Sequence, residues 1–213
     1  MSQTTLEWLR FATPGAIIVI CFVLLGRITE LWAAPLPEKL LSSSLTIIVP
    51  AGVYYLTPFR KWANQRFFDS VGENLRAKMV SISQLADEPT IYTWQVLRGV
   101  FFHLVDNDKS LSSKASLAYF NGFIWTTFAD IRVVSLVYAG ISAILAWLRI
   151  DGSVVAFLLF LAIAVASLLG STITTRRHRA IGDEQMGIIR LYHREELRRT
   201  LTEIRDRHHS AGN

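Results

Sequence analysis

The stretch VVSLVYAGISAILAWLRIDGSVVAFLLFLAIAVASLLGST, Val133 to Thr172, decides the fold. Val133 to Ile150 is almost uninterruptedly apolar, Asp151 and Gly152 form a turn signal, and Ser153 to Thr172 is apolar again. Each half is close to the roughly 20 residues that a helix needs to cross a bilayer core. A surface helix of a soluble domain shows a polar face at a 3.6-residue period. Ala156 to Leu169 shows none, so lipid or other helices must surround it. The pattern predicts a helical hairpin in a membrane.

Working back toward the start, Phe11 to Leu25 is a second apolar run, with Pro14 at a position that the first turn of a helix tolerates. Glu7 beside Arg10 and the bulky Trp32 before Ala33 and Ala34 argue against a cleaved leader, so the run is read as a first span. Reaching crossing length takes this helix on to about Trp32 and places Arg27 and Glu30 near its far end. Pro35, Pro37, Glu38 and Lys39 form a turn, and Leu40 to Leu56 is a second span containing Pro50, ended by Pro58. The first hairpin therefore covers 1–58, with spans at about 11–32 and 40–57.

Charge orients these hairpins. Of 213 residues, 51% are hydrophobic and only 18% charged, with a formal net charge of +5. The Ala33 to Leu40 turn carries only Lys39 and the Asp151 turn only Arg149, whereas Phe59 to Arg132 and the segment after Thr175 hold nearly all the other Lys and Arg. By the positive-inside rule both termini are cytoplasmic and the chain is a multi-pass protein of the inner membrane. The fold class expected is all-α: four transmembrane helices in two hairpins, a cytoplasmic helical domain at 59–132, and an amphipathic cytoplasmic tail at 173–213.

In the central domain, Phe59, Trp62, Phe67, Val71, Leu75, Met79, Ile82 and Leu85 recur at helical spacing and predict one long helix. Asp87, Glu88 and Pro89 mark the start of a second, running from Pro89 to Val105. Asp106, Asn107 and Asp108 supply caps for a third from about Leu111, with Gly122 as a bend. Ala115 to Ala129 is apolar enough to enter the membrane, but a fifth span would put one of the two basic regions outside. In the tail, Ile181 to about Arg207 reads as a helix with Met186, Ile189, Leu197, Leu201 and Ile204 on one side. That face should pair with the central domain, a second copy or a separate protein.

Few residues offer chemistry. Arg27 and Glu30, three apart on one span, could form an intramembrane charged pair, or lie wet at the outer interface. Arg60, Lys61 and Arg66, with Arg176, Arg177 and Arg179, are placed to meet anionic lipid head groups and are also what topology requires. Asp106, Asp108 and Ser110 imitate the opening of a calcium loop, but Leu111 and Leu117 stand where Gly and Glu are needed. His103 with Asp106 lacks further ligands for a metal. The other histidines, His178, His193, His208 and His209, are scattered through the tail. Cys21 excludes an intrachain disulfide, being the single cysteine. No metal, cofactor or catalytic set is expected, and Asp183, Glu184, Glu195 and Glu196 interrupt the basic tail against nucleic-acid binding.

Small-residue faces (Ser135, Ala139, Gly140, Ser142 and Ala143; Ala162, Ala164, Ala166 and Ser167) permit close helix packing within and between subunits. The first functional expectation is a non-enzymatic homo-oligomer that couples a cytoplasmic protein partner or signal to the spans, as sensor, anchor or membrane effector. In plan the chain is similar to the small four-span membrane components found beside cytosolic partners in bacterial defence systems, a similarity of architecture carried by no residue motif. The second is a small ion channel or transporter built from oligomerised spans around Arg27 and Glu30. The third is an interfacial membrane enzyme using His103, Asp106 and Asp108.

Overall fold

The computed structural model describes residues 3–31 and 43–211, and every described element is helical. Seven helices follow in order: α1 Gln3–Ile28, α2 Ser44–Leu56, α3 Phe59–Ser83, α4 Trp94–Asn107, α5 Lys109–Trp147, α6 Ser153–Tyr192 and α7 Arg194–Ala211. The turn expected around Pro35 to Lys39 and the first residues of the expected second span lie outside the described residues. Three helices, over Thr4–Ile28, Lys109–Trp147 and Ser153–Tyr192, are long and apolar enough to cross a membrane. The 13 residues of α2 rise about 20 Å, short of the roughly 30 Å hydrocarbon core.

The chain forms two compact units, each discontinuous in sequence: 1–65 with 123–174, and 66–122 with 175–213. Helices α3, α5 and α6 each supply residues to both.

In the first unit, α1 and α2 run antiparallel at very close range. A Cβ on Gly15 would lie 2.0 Å from the Ile47 carbonyl oxygen and 2.9 Å from the Ala51 Cβ, so glycine alone lets the two backbones touch. The core joins Cys21 and Leu25 of α1, Tyr54 of α2, Val134 and Ala139 of α5, and Ala156 and Phe160 of α6. Along the part of α6 in this unit the buried positions are Ser153, Ala156, Phe160, Ala164, Ser167, Ser171 and Thr174, a single stripe at spacings of three and four. Val154, Val155, Leu158, Leu161, Val165, Leu168 and Leu169 are exposed. This polarity is inverted relative to a soluble helix and is the one expected of a helix whose outer face meets lipid. Ser167, Ser171 and Thr174 donate their hydroxyls to carbonyls of their own helix, which makes them tolerable inside.

The turn between α5 and α6 contains Asp151 and Gly152, as expected, with Gly152 at φ 72°. A Cβ there would meet the Ile28 carbonyl oxygen at 2.0 Å, so the turn rests directly on the end of α1. Gly152→Ala should therefore cost about 2 kcal/mol, from left-handed backbone strain and overpacking together. Gly140→Ala, inside α5 with nothing within 4 Å of the new methyl, should instead stabilise by up to about 1 kcal/mol. Unfolding both variants in mixed micelles checks this, and equal stabilities would refute the contact.

The second unit has its own core, in which Met79, Leu97, Leu104, Leu111, Met186, Ile189, Leu197 and Leu201 are all but fully buried. Asp183 and Glu184, adjacent on α6, reach in different directions, to Lys78 of α3 and Lys114 of α5. Between α3 and α4 the chain is irregular, and one guanidinium organises it. The Arg76 side chain, 8% exposed, donates from Nε to Glu73 at 2.6 Å and through both terminal nitrogens to Asp87 at 2.7 and 3.2 Å. This fork holds the Asp87 carboxyl below the usual carboxylate range.

Several boundaries differ from the sequence expectation. Helix α1 begins at Gln3 and ends at Ile28, gaining its length at the start, so Pro14 is inside the helix. Helix α4 begins at Trp94, not Pro89, because Asp87 is committed to Arg76 and Thr93 is the cap, its hydroxyl accepting from Val96 N. Helix α5 passes Gly122 unbroken, and α6 continues past Thr172 through Gly182 and Gly187 to Tyr192. A helical glycine costs about 1 kcal/mol, which burial of neighbours such as Trp125, Ala129, Met186 and Ile189 outweighs.

Candidate functional site

Pro14 has no N–H, so the Arg10 carbonyl one turn earlier lacks its helical donor. Two side chains from elsewhere take that place: Tyr55 donates its hydroxyl at 3.0 Å and Arg60 a terminal nitrogen at 3.2 Å. The Arg60 guanidinium also lies over the Tyr55 ring, 4.0 Å from its centre. Its Nε faces the Asp130 carboxylate at 3.7 Å. On the same carboxylate oxygen, Tyr54 donates its hydroxyl at 3.0 Å. Four helices thus meet at one polar junction, buried at Asp130 and Tyr54 and open to the surface at Tyr55: α1 through a backbone carbonyl, α2 through two tyrosines, α3 through Arg60, and α5 through Asp130.

Asp130 is 1% exposed, in the unit that holds the apolar helices. An ionisable side chain in such surroundings is expensive unless paired, and where it occurs it usually serves a purpose. Nothing in the local sequence singled it out. The signals were a lone acid in the apolar run from Ala115 to Arg132, a proline four residues after Arg10, and tyrosines at the end of α2. Asn64, one turn beyond Arg60 on α3, is buried too; its amide nitrogen donates to the Arg60 carbonyl at 2.7 Å, and its Oδ1 has no hydrogen-bond donor.

The second unit holds a different cluster. His193 lies at the joint of α6 and α7, with Nε2 2.9 Å from Asp108 Oδ2 and Nδ1 3.3 Å from Glu196 Oε2. Asp108 at the same time caps α5, its Oδ1 accepting from Ser110 N at 2.7 Å and Leu111 N at 3.0 Å. The hydrogen bond to Asp108 raises the imidazole above its ordinary value, and the His193 bond, with the backbone N–H of Leu111, holds Asp108 below its own. With carboxylates on both ring nitrogens, His193 has no nitrogen left to act as a base on a substrate.

Other residues singled out in the sequence fall as follows. Glu30 lies past the end of α1 at φ 53°, so it does not share a helix face with Arg27. Both are exposed, and among the described residues no ion pair joins them. Lys61, Arg66, Arg176 and Arg177 are exposed, Arg60 belongs to the junction, and Arg179 donates to Ser70 Oγ at 2.7 Å. Met186, Ile189, Leu197 and Leu201 are in the core of the second unit, with Ile204 packed against it. Of the three occupants considered for that face, the one against it is the chain's own central segment. His103 accompanies Asn107, Asp106 is exposed and Asp108 is turned to His193, so the three are not assembled. Among the described residues no group of His, Cys, Asp and Glu could hold a metal ion. Comparison with protein-family models, with curated proteins and with solved structures finds no match for this chain.

Proposed function

We propose that this chain is a non-enzymatic multi-pass protein of the inner membrane that couples a cytoplasmic protein partner or signal to its spans and works as an oligomer. Four spans in two hairpins, 11–58 and 133–172, with both termini cytoplasmic, agree with the distribution of Lys and Arg. In this topology α2 is the short second span. Lys61, Arg66, Arg176 and Arg177 then stand at the cytoplasmic surface, where each contributes about 1 kcal/mol of attraction to anionic lipid. Oligomerisation follows from size, because four spans enclose little of their own.

The observation that carries the reading is the Asp130 junction. Helices α3 and α5, which also supply the second unit, are held there by directional polar bonds. Apolar packing slides among near-equivalent arrangements, whereas a buried polar network is either made or broken. That gives a signal arriving along α3 or α5 a two-state element to act on. Purification in mild detergent, with mass determination and identification of what copurifies, supplies the complex. Amide exchange over 44–65 is then expected to change when the copurifying protein is removed, and to stay unchanged in Asp130→Asn. Identical exchange in wild type with and without that protein would sink the proposal.

The same buried carboxylate supports a second reading, an ion or proton path through oligomerised spans. Liposomes containing the protein should then show flux that Asp130→Asn alters while assembly is unchanged. No flux from the wild-type protein removes this alternative.

A further inference from the structure

We propose that His193 is a proton-operated latch that sets whether α7 stays docked on the second unit. The inference concerns this unit alone and does not depend on the coupling role.

The imidazole sits where two joints of the chain meet. Its own residue is the break between α6 and α7, and its first partner, Asp108, is the residue between α4 and α5. The charged groups facing the ring are Asp108 from that joint and Glu196 from α7. A neutral imidazole carries one N–H and can donate to one of them only, leaving a bare ring nitrogen against the other carboxylate. The imidazolium donates to both. Protonation therefore completes a bridge from the start of α5 to the start of α7, and deprotonation removes one arm of it. The backbone continues through the same point, His193 N donating to Ile189 O at 2.9 Å and Leu197 N to His193 O at 2.9 Å. Loosening the ring thus acts on the first turn of α7, directly before Leu197 and Leu201.

The sign follows from the direction of each shift. The His193 imidazole is raised in the folded unit, so its contribution is complete below the ordinary imidazole value near 6.5 and is lost as pH rises through the folded value. Asp108 is lowered, so its contribution is complete above the ordinary carboxylate value and is lost only in strong acid, as pH falls through its depressed value. Across the near-neutral range the switch is therefore His193 alone. Acidification fastens α7, and a more alkaline cytoplasm frees it, uncovering the apolar face that holds Leu197 and Leu201.

The test is amide exchange of α7 in the full chain in detergent micelles, corrected for the intrinsic pH dependence of exchange. Protection at Leu197 and Leu201 is expected to fall about threefold between pH 6 and pH 8, the scale of a partly exposed ion pair. His193→Gln should make it flat over that range. Asp108→Asn keeps an amide oxygen to cap Ser110 and Leu111 but removes the charge, so the transition should move to lower pH. A flat wild-type profile, or the same pH dependence in His193→Gln, overturns the latch.

Discussion

Replacing Asp130 with alanine should lower the stability of the first unit by about 3 kcal/mol, and replacing it with asparagine by about 1 kcal/mol. Alanine leaves the buried Tyr54 hydroxyl with no acceptor and takes the carboxylate away from Arg60. The Arg60 side chain is 16% exposed and keeps the Arg10 carbonyl and the Tyr55 ring, which limits the loss to the lower part of the range for a broken buried pair. Asparagine offers an oxygen in the same place, so only the charge is lost. Titration with SDS from mixed micelles measures both. Tyr54→Phe provides the complementary measurement: combined with Asp130→Ala, which removes the acceptor, it should show a coupling of about 1 kcal/mol. Additive effects would mean that the hydroxyl and the carboxylate do not stabilise each other, and a loss under about 0.5 kcal/mol in the alanine variant would remove the junction from any account of the fold.

The double substitution Leu197→Ala and Leu201→Ala should open the second unit. Both side chains are fully buried, and a buried Leu→Ala change costs about 2–5 kcal/mol. They are neighbours one turn apart on α7 and share core partners, so the pair should cost about 5 kcal/mol, less than twice a single change. That is comparable to the whole stability of an ordinary domain. Amide protection across 66–122 should then collapse, while the part of α6 in the first unit keeps its protection. Ile204→Ala, at the edge of the same core, should cost only about 1 kcal/mol. Collapse confined to α7, with 66–122 still protected, would show that the core is complete without the tail.

The legible parts of this fold were those written in local pattern. The apolar length of 133–172, its turn at Asp151 and Gly152, the helical spacing from Phe67 to Ile82, the cap at Asp108 and the apolar face from Met186 to Ile204 all depend on residues within a few turns of one another. The polar junction and the His193 cluster depend on pairings that span the chain: Tyr54 meets Asp130 76 positions away, and Asp108 meets His193 85 positions away. No periodicity encodes such a meeting. Hydropathy was silent about the inner face of α6 for another reason. Apart from Phe160, its buried stripe is Ser, Ala and Thr, less apolar than the Val and Leu outside it, so the usual equation of apolar with buried points the wrong way. Gly122 misled as well, because it resembles a bend locally, and the packing on either side decides otherwise.

The interleaving of the two units bears on how the chain is made. Neither can close on its N-terminal part: 1–65 waits for 123–174, and 66–122 waits for 175 onward. At about 5–20 residues per second, the ribosome needs roughly 5 to 20 s to pass from Gly122 to the end of α7. Throughout that interval the segment carrying Met79, Leu97 and Leu104 has been synthesised and the helices that cover these side chains have not. For that time the nascent chain exposes apolar surface that the folded unit buries. A chain cut short before Thr174 leaves both units incomplete at once.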